Sequence, residues 1–185
     1  MPTAAPSSAS PSPQPQRPLA IALREGTAEL HREAERAGIM RDLLCGRVDR
    51  GGYCSLLRNL HALYRTLEAG LTQLAADPAL ALVSLPVLAR GAALASDLES
   101  LHGAGWERDI PLQPAMTRYV ERLDDVARSA PRALLAHAYV RYLGDLSGGQ
   151  IVHRVIASAL ALTEDSGLAF YRFPDAPEVL AARLR

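Results

Sequence analysis

The sequence has no lysine, so all twenty of its basic side chains are arginine. Twenty aspartate and glutamate side chains balance them, and the formal net charge is +0 at pH 7. The arginines are spread along the chain, whereas a nucleic-acid-binding protein shows a basic face to the phosphates. We therefore expect no nucleic-acid partner. An all-arginine set suits a ligand with carboxylate groups, because a guanidinium binds a carboxylate through two parallel hydrogen bonds.

Cysteine and long apolar runs are also scarce. Cys45 and Cys54 are the two cysteines and do not form a CxxC pair, so we interpret them as buried thiols in a reducing compartment. No apolar run approaches the roughly 18 residues that a transmembrane helix needs. The N-terminus carries serine and proline where a secretory signal has basic and apolar residues. These features predict a cytoplasmic protein without a membrane span.

The chain divides by composition into a tail and one domain. Residues 1–18 are rich in proline, serine and alanine and have no apolar periodicity, which predicts a disordered tail. Hydrophobic residues make up 49% of the chain, enough for a folded core. We therefore predict a single domain over residues 19–185.

Apolar residues recur in this domain at intervals of three and four, which is typical of amphipathic helices. Pro18, Gly46, Pro86 and Pro131 mark helix boundaries. No segment shows the alternation of a strand, so the fold class is all-α, a bundle of six or seven helices. The predicted helices cover residues 19–36, 39–45, 53–71, 86–101, 116–128 and 132–162, with a loop at residues 102–114.

The segment HAYVRYLGDLSGGQ, residues 137–150, holds three glycines inside a predicted helix. Each costs about 1 kcal/mol relative to alanine. Gly144 and Gly148 share one helical face, on which Asp145 is the single carboxylate. Such a bare stripe allows a flat partner to lie against the backbone, and it can kink the helix.

Close helix–helix packing is the simplest explanation of such a glycine stripe. It leaves unexplained why polar groups gather there, since Arg141 lies one turn before Asp145 and Tyr139 and Tyr142 are close by. A carboxylate beside bare backbone is costly unless it has partners or ordered water.

The run GDLSGGQ, preceded by HAYVRYL, is very similar to the distal helix of haem oxygenases. The resemblance implies that Gly144, Gly148 and Gly149 let this helix pass directly over a haem. It also implies that Asp145 holds a water that hydrogen-bonds to oxygen bound at the iron. By the same resemblance, Tyr139 is expected to contact the haem.

The segment LREGTAELHREAE, residues 23–35, resembles the proximal helix of the same family and places His31 at the iron-ligand position. Glu35 follows one turn later, where it can hold the second imidazole nitrogen. Arg24 lies about 10 Å before His31 along the helix, a distance that suits a haem propionate. A lone helical histidine is more often a surface or core residue, and the sequence offers four others: His61, His102, His137 and His153.

The resemblance extends over roughly residues 19–185 and includes WERDIPLQPAMTRYVERL and GLAFYRFPD. It implies a distal network of hydrogen-bonded water around Tyr64, Tyr119 and Arg141, although ordinary core packing explains the two tyrosines equally well. It also implies an apolar proximal contact at Met40 and a propionate contact at Arg183, with Arg185 as a substitute for another. Family members continue after Phe173-Pro174 into a long helix, so we expect a bundle without this C-terminal closing helix.

The activity implied is oxidative cleavage of haem to biliverdin, ferrous iron and carbon monoxide. Haem is substrate and cofactor, dioxygen is consumed, and a ferredoxin or flavoprotein reductase supplies electrons. We expect a monomer or a weak dimer. A haem-binding protein for storage, delivery or sensing, without turnover, is the alternative.

Two other readings have weaker support in the sequence. A di-iron carboxylate bundle needs two ExxH motifs, and Glu99–His102 is the one present. A helical enzyme with a cysteine nucleophile lacks a recognisable base near Cys45 or Cys54.

Overall fold

The computed structural model describes residues 19–74, 77–78, 83, 86–163 and 166–184. The predicted tail, residues 1–18, and Arg185 lie outside the described residues. The chain divides into two units, residues 1–34 and 35–185, and each is described by itself. The described residues contain helices and no strand, which confirms the all-α fold class.

Helix α1, Leu19–Arg36, has the bounds that the sequence predicts and supplies the described part of the first unit. Pro18 precedes it in the sequence, where its fixed φ and missing N–H are tolerated. Its alternating acidic and basic side chains, such as Arg24, Glu33 and Glu35, are exposed to solvent.

The second unit is a bundle around α3, its longest helix. The N-cap residue Asp49 accepts a hydrogen bond from Gly52 N at 2.7 Å, the usual role of aspartate at a helix start. The α-helices of this unit are α2 (Gly38–Leu44), α3 (Arg50–Gln73), α4 (Gly91–Leu101), α5 (Trp106–Asp109), α6 (Pro114–Ser129), α7 (Leu134–Ser147), α8 (Gly149–Ala159) and α9 (Pro177–Leu184). Short 3-10 turns cover Pro86–Leu88, Pro131–Ala133 and Ala169–Tyr171.

The core lies where α3 meets α4, α6 and α7. Leucines spaced by three and four along α3, such as Leu57, Leu63 and Leu67, are almost completely buried. Burial of one such side chain contributes roughly 1.5–3 kcal/mol. The packing fixes α3 beside α7, and this brings Tyr64 next to the glycine-rich segment.

The structure differs from the predicted helices at four places. The helix predicted over residues 86–101 is a 3-10 turn, Pro86–Leu88, followed by α4, Gly91–Leu101. The long helix predicted over residues 132–162 is divided at Gly148, whose backbone keeps helical dihedral angles (φ −65°, ψ −32°). The predicted loop at residues 102–114 contains the single-turn helix α5, which the left-handed Gly105 (φ +91°) precedes. After Phe173-Pro174 comes α9, which buries Leu180 against the bundle and packs on α7. The described part of the chain therefore holds nine α-helices, against the six or seven that the sequence predicts.

Candidate functional site

The candidate site is built around Asp145, which lies near the end of α7 and is only 5% exposed. Tyr64 donates its hydroxyl proton to Asp145 Oδ2. Arg141, one helical turn earlier on α7, donates from Nη2 to Asp145 Oδ1 at 3.0 Å and from Nε to the Tyr64 hydroxyl at 3.3 Å. The three side chains close a ring of hydrogen bonds, which we call the Asp145 cluster.

The Asp145 cluster combines a buried negative charge with a half-buried positive one. Burial raises the pKa of Asp145, whereas the charge of Arg141, the hydrogen bond from Tyr64 and the charge of Arg90 lower it; the net pKa is raised. Burial also raises the pKa of Tyr64 well above its ordinary value. The phenol therefore keeps its proton and stays a donor, while the carboxyl group is the member of the cluster that can exchange one.

The face of α7 beside Asp145 is bare. A Cβ atom built on Gly144 meets nothing within 4 Å, and one built on Gly148 meets only Gly144 O, at 3.5 Å. Both glycines are exposed. Gly149 points the other way, because its Cβ position lies 3.6 Å from the Tyr171 ring. Gly144 and Gly148 thus leave open space beside the carboxylate, and Gly149 allows close packing inside the bundle.

Tyr119 is not brought to Asp145. Its hydroxyl lies 2.8 Å from Nδ1 of His137, which stands one turn before Arg141 on α7. The two residues form a second polar pair further along the same helix. Burial, together with the charge of Arg122, lowers the pKa of His137, so the neutral imidazole is favoured.

The short turn Ala169–Tyr171 packs against Tyr64. The sequence did not indicate that this turn belongs to the site. The Phe170 ring packs against the Tyr64 ring with centroids 5.9 Å apart, and Tyr142 stacks at the same distance. Several hydrogen bonds hold the turn: Asp97 accepts from Ala169 N at 2.7 Å and from Phe170 N at 2.8 Å, Arg90 donates to the Phe170 carbonyl, and Gln150 donates to the Tyr171 carbonyl at 3.0 Å. The one sequence signal was the family-like run GLAFYRFPD, which gives no partner for any residue.

The predicted proximal residues lie on α1. His31 and Arg24 are exposed and belong to the first unit. Glu35 follows His31 by one helical turn on the same helix. Their predicted roles toward haem stay predictions.

Three further predicted residues lie elsewhere in the second unit. Met40 on α2 is half-buried and packs against the core. Tyr139 on α7 is half-buried and takes no part in the hydrogen bonds of the Asp145 cluster. Arg183 on α9 lies 3.8 Å from Asp175 in an exposed ion pair. Arg185 lies outside the described residues.

The two weaker alternatives lack structural support in the described part of the chain. No group of three or more histidine, cysteine, aspartate or glutamate side chains there could hold a metal ion, and His102 caps the C-terminus of α4. Cys54 is buried as predicted, but the prediction for Cys45 was wrong because this thiol is exposed, one residue beyond the end of α2. Among the described helices, none combines the length and the hydropathy that a membrane span requires.

Comparison with known proteins identifies the family. The family model described as "Heme oxygenase" matches residues 17–182. Heme oxygenase 1 of Homo sapiens is 44% identical over 168 residues, which cover 88% of this chain and 58% of that protein. Heme oxygenase 1 of a Synechocystis strain is 40% identical over 157 residues, 85% of this chain and 65% of that protein.

Solved structures agree with the sequence match. Heme oxygenase-1 from Synechocystis in complex with heme superposes with a TM-score of 0.84 at 37% identity, over 90% of this chain and 76% of that one. Heme oxygenase from Leptospira interrogans gives a TM-score of 0.82 at 37% identity, over 90% and 84%. The chain belongs to the haem oxygenase family. It spans about three fifths of the length of the curated relatives named above.

Proposed function

We propose that this protein is a haem oxygenase that cleaves haem oxidatively to biliverdin, ferrous iron and carbon monoxide. The observation that carries the proposal is the juxtaposition at the end of α7: a buried, hydrogen-bonded carboxylate, Asp145, directly beside the open face of Gly144 and Gly148. Membership of the family supplies the reaction, and this geometry supplies residues suited to it.

The residues present fit a haem. A Cβ at Gly144 would enter space that no atom of the described chain occupies, and a flat macrocycle can approach the backbone there to van der Waals distance. Bound haem supplies the iron that activates dioxygen, and its porphyrin ring is the substrate. The bare stripe would let the ring lie flat against the backbone of α7.

Asp145 is the residue that handles protons in this proposal. Its raised pKa lets the carboxyl group take up and return a proton, directly or through a water at Oδ1 or Oδ2. Tyr64 and Arg141 hold both oxygens in place, so that the direction of the hydrogen bonds is fixed before substrate arrives.

Residues of α1 and α9 complete the proposal. His31 would bind the iron through a neutral imidazole, and Glu35, one turn later, would accept the proton of the other ring nitrogen. Arg24 and Arg183 would bind the propionates through their guanidinium groups. A ferredoxin or a flavoprotein reductase would supply the electrons and dioxygen the oxygen. The cytoplasmic location and the monomeric or weakly dimeric state stay predictions of the sequence.

The direct test mixes the purified chain with one equivalent of hemin and a reductase system and follows the visible spectrum. A Soret band that forms and then decays while biliverdin absorption grows supports the proposal. A band that forms and persists under reductant identifies a haem-binding protein without turnover. Absence of any band contradicts haem binding by this chain.

The matched test of the site compares Asp145→Ala with Asp125→Ala. Asp125 is an exposed aspartate on α6 that forms a surface ion pair with Arg128. We expect Asp145→Ala to keep the Soret band and to lose most of the biliverdin yield, because the proton-handling group is gone. Asp125→Ala should behave like the unmodified protein. A normal biliverdin yield from Asp145→Ala would falsify the assignment.

A further inference from the structure

Arg90 is a buried arginine that the proposed mechanism does not use. It precedes α4 and is 4% exposed, and an unpaired charge at such depth is costly. Its side-chain hydrogen bonds all go to carbonyl oxygens: Nε to Leu88 at 3.1 Å, Nη2 to Val87 at 3.3 Å, and Nη1 to Phe170 at 3.3 Å and to Arg172 at 2.5 Å. The Phe173 ring covers the guanidinium, with its centroid 4.0 Å from Cζ.

No carboxylate accepts a hydrogen bond from this guanidinium in the described part of the chain. Glu68, the carboxylate in its neighbourhood, accepts instead from the backbone N–H groups of Arg90 at 2.6 Å and Gly91 at 3.3 Å, at the start of α4. The charge of Arg90 is therefore fixed in position by four carbonyl groups and is neutralised only partly. Such a charge acts on its surroundings over a longer range than one in a tight ion pair.

The contacts of Arg90 lead directly to the Asp145 cluster. Arg90 holds the carbonyl of Phe170, the Phe170 ring packs on Tyr64, and Tyr64 donates to Asp145. We propose that Arg90 is a positioning residue of the Asp145 cluster: it fixes the turn that supports Tyr64, and its buried charge favours the ionised carboxylate of Asp145. This inference rests on the proposed function for its meaning, although it concerns the protein without haem.

The surrounding charges are consistent with this role. Burial lowers the pKa of Arg90, and the net pKa is lowered, although Asp145 and Glu68, followed by Tyr64 and Tyr142, act in the opposite direction. Asp145 in turn interacts electrostatically with Arg141, Tyr64 and Arg90, and with the phenols of Tyr142 and Tyr171. Arg141 is half-buried whereas Arg90 is fully enclosed, so solvent screens the interaction of Arg90 less.

The absence of lysine from the sequence provides a clean test. The variant Arg90→Lys keeps a positive charge and introduces the single lysine of the chain, so carbon-13-labelled lysine gives one ε-carbon signal to titrate by NMR. Coupling between two sites is reciprocal. We therefore expect the lysine pKa to fall by roughly half a unit or more when Asp145→Asn is added. Asp175→Asn, an exposed carboxylate on the chain segment before α9, is the control and should leave the lysine pKa unchanged.

An equal lysine pKa with and without the Asp145 carboxylate overturns the proposal.

If the lysine variant does not fold, a second variant, Arg90→Gln, tests the same proposal. In Arg90→Gln, the Asp145 carboxyl carbon should titrate at higher pH than in the unmodified protein, because a positive charge has been removed. In Asp175→Asn, which changes an exposed carboxylate before α9, that titration should not move. Equal titration in Arg90→Gln and the unmodified protein refutes the role of Arg90. Neither measurement involves haem, so its failure leaves the proposed activity untouched.

Discussion

At the scale of single residues, the three glycines of residues 144–149, at the junction of α7 and α8, have separate functions that their spacing does not reveal. The space at the Cβ position of Gly144 is open, whereas the Tyr171 ring occupies the space next to the Cβ position of Gly149. The sequence motif presents them as equivalent, since all three interrupt one helix. In the structure Gly144 is open and Gly149 is closely packed. The difference arises because the side chain that approaches Gly149 comes from a turn more than twenty residues later.

Gly144→Ala separates stability from function. Beyond the backbone of its own helix and its chain neighbours, no atom of the described residues lies within 4 Å of the new methyl group. Alanine is also the better helix former by about 1 kcal/mol, so the free energy of unfolding should stay equal or increase. The methyl group occupies the space that we assign to haem, so hemin affinity should fall at least tenfold by absorbance titration. Gly51→Ala, an exposed glycine of α3, is the control and should leave affinity intact. Unchanged affinity in Gly144→Ala would place the ligand elsewhere.

At the scale of elements, the turn at Ala169–Tyr171 decides how the bundle supports its site. It is anchored from α4 by Asp97 and from α3 by Tyr53, whose hydroxyl donates to the Gly167 carbonyl at 2.9 Å. Gly167 has φ +82°, and a Cβ there would stand 2.6 Å from a Leu101 methyl carbon. The tight approach of this turn to α4 therefore requires glycine.

A pair of glycine substitutions tests this requirement. Gly103 also has a positive φ, +95°, but nothing lies within 4 Å of its Cβ position. Gly103→Ala should cost about 1 kcal/mol of unfolding free energy through backbone strain alone. Gly167→Ala should cost about 2–4 kcal/mol, since overlap with Leu101 is added to the strain. Urea denaturation measures both, and equal losses would mean that the turn is free to move away from α4.

The elements also show how far the sequence could predict the fold. The predicted bounds of α1 agree with the structure, and those of α3 and α6 lie within about three residues of it, because apolar spacing and caps are local signals. The division between α7 and α8 was not predicted, since Gly148 keeps helical dihedral angles and the interruption depends on how α8 packs. Helix α5 is a single turn that periodicity cannot detect.

At the scale of the whole second unit, charged groups that are distant in sequence share one interior. Besides Arg90, Asp97 and Asp145, the core holds His61, which is 5% exposed and meets the Trp106 ring edge-on at 4.8 Å. Burial lowers the pKa of His61, and Arg58 and Arg65 lower it further, whereas Glu107 raises it. Protonation of His61 should therefore weaken the packing of α3 against α5, so that the free energy of unfolding depends on pH.

The pH dependence has a definite sign. Because the folded pKa of His61 lies below its unfolded value of about 6.5, the unfolded chain binds more protons in the window between them. Stability is therefore fully present above about pH 6.5 and falls as the pH drops through the folded pKa. In His61→Phe this loss should shrink, whereas His102→Gln, at an exposed histidine, should keep it. Thermal unfolding between pH 7.5 and 5 checks this, and an unchanged slope in His61→Phe would contradict it.

By itself the sequence determined the helical class, the principal helices, the family and the candidate carboxylate, because these follow from local periodicity and from a contiguous motif. Only the tertiary structure decided which side chains meet Asp145. Tyr64 and Arg141 reach its oxygens, Tyr119 pairs with His137 instead, and Arg90 supports the cluster through Phe170. The physical reason is that these contacts join α3, α4, α7 and the turn at Ala169–Tyr171, and their geometry depends on how the helices pack rather than on the spacing within any one of them.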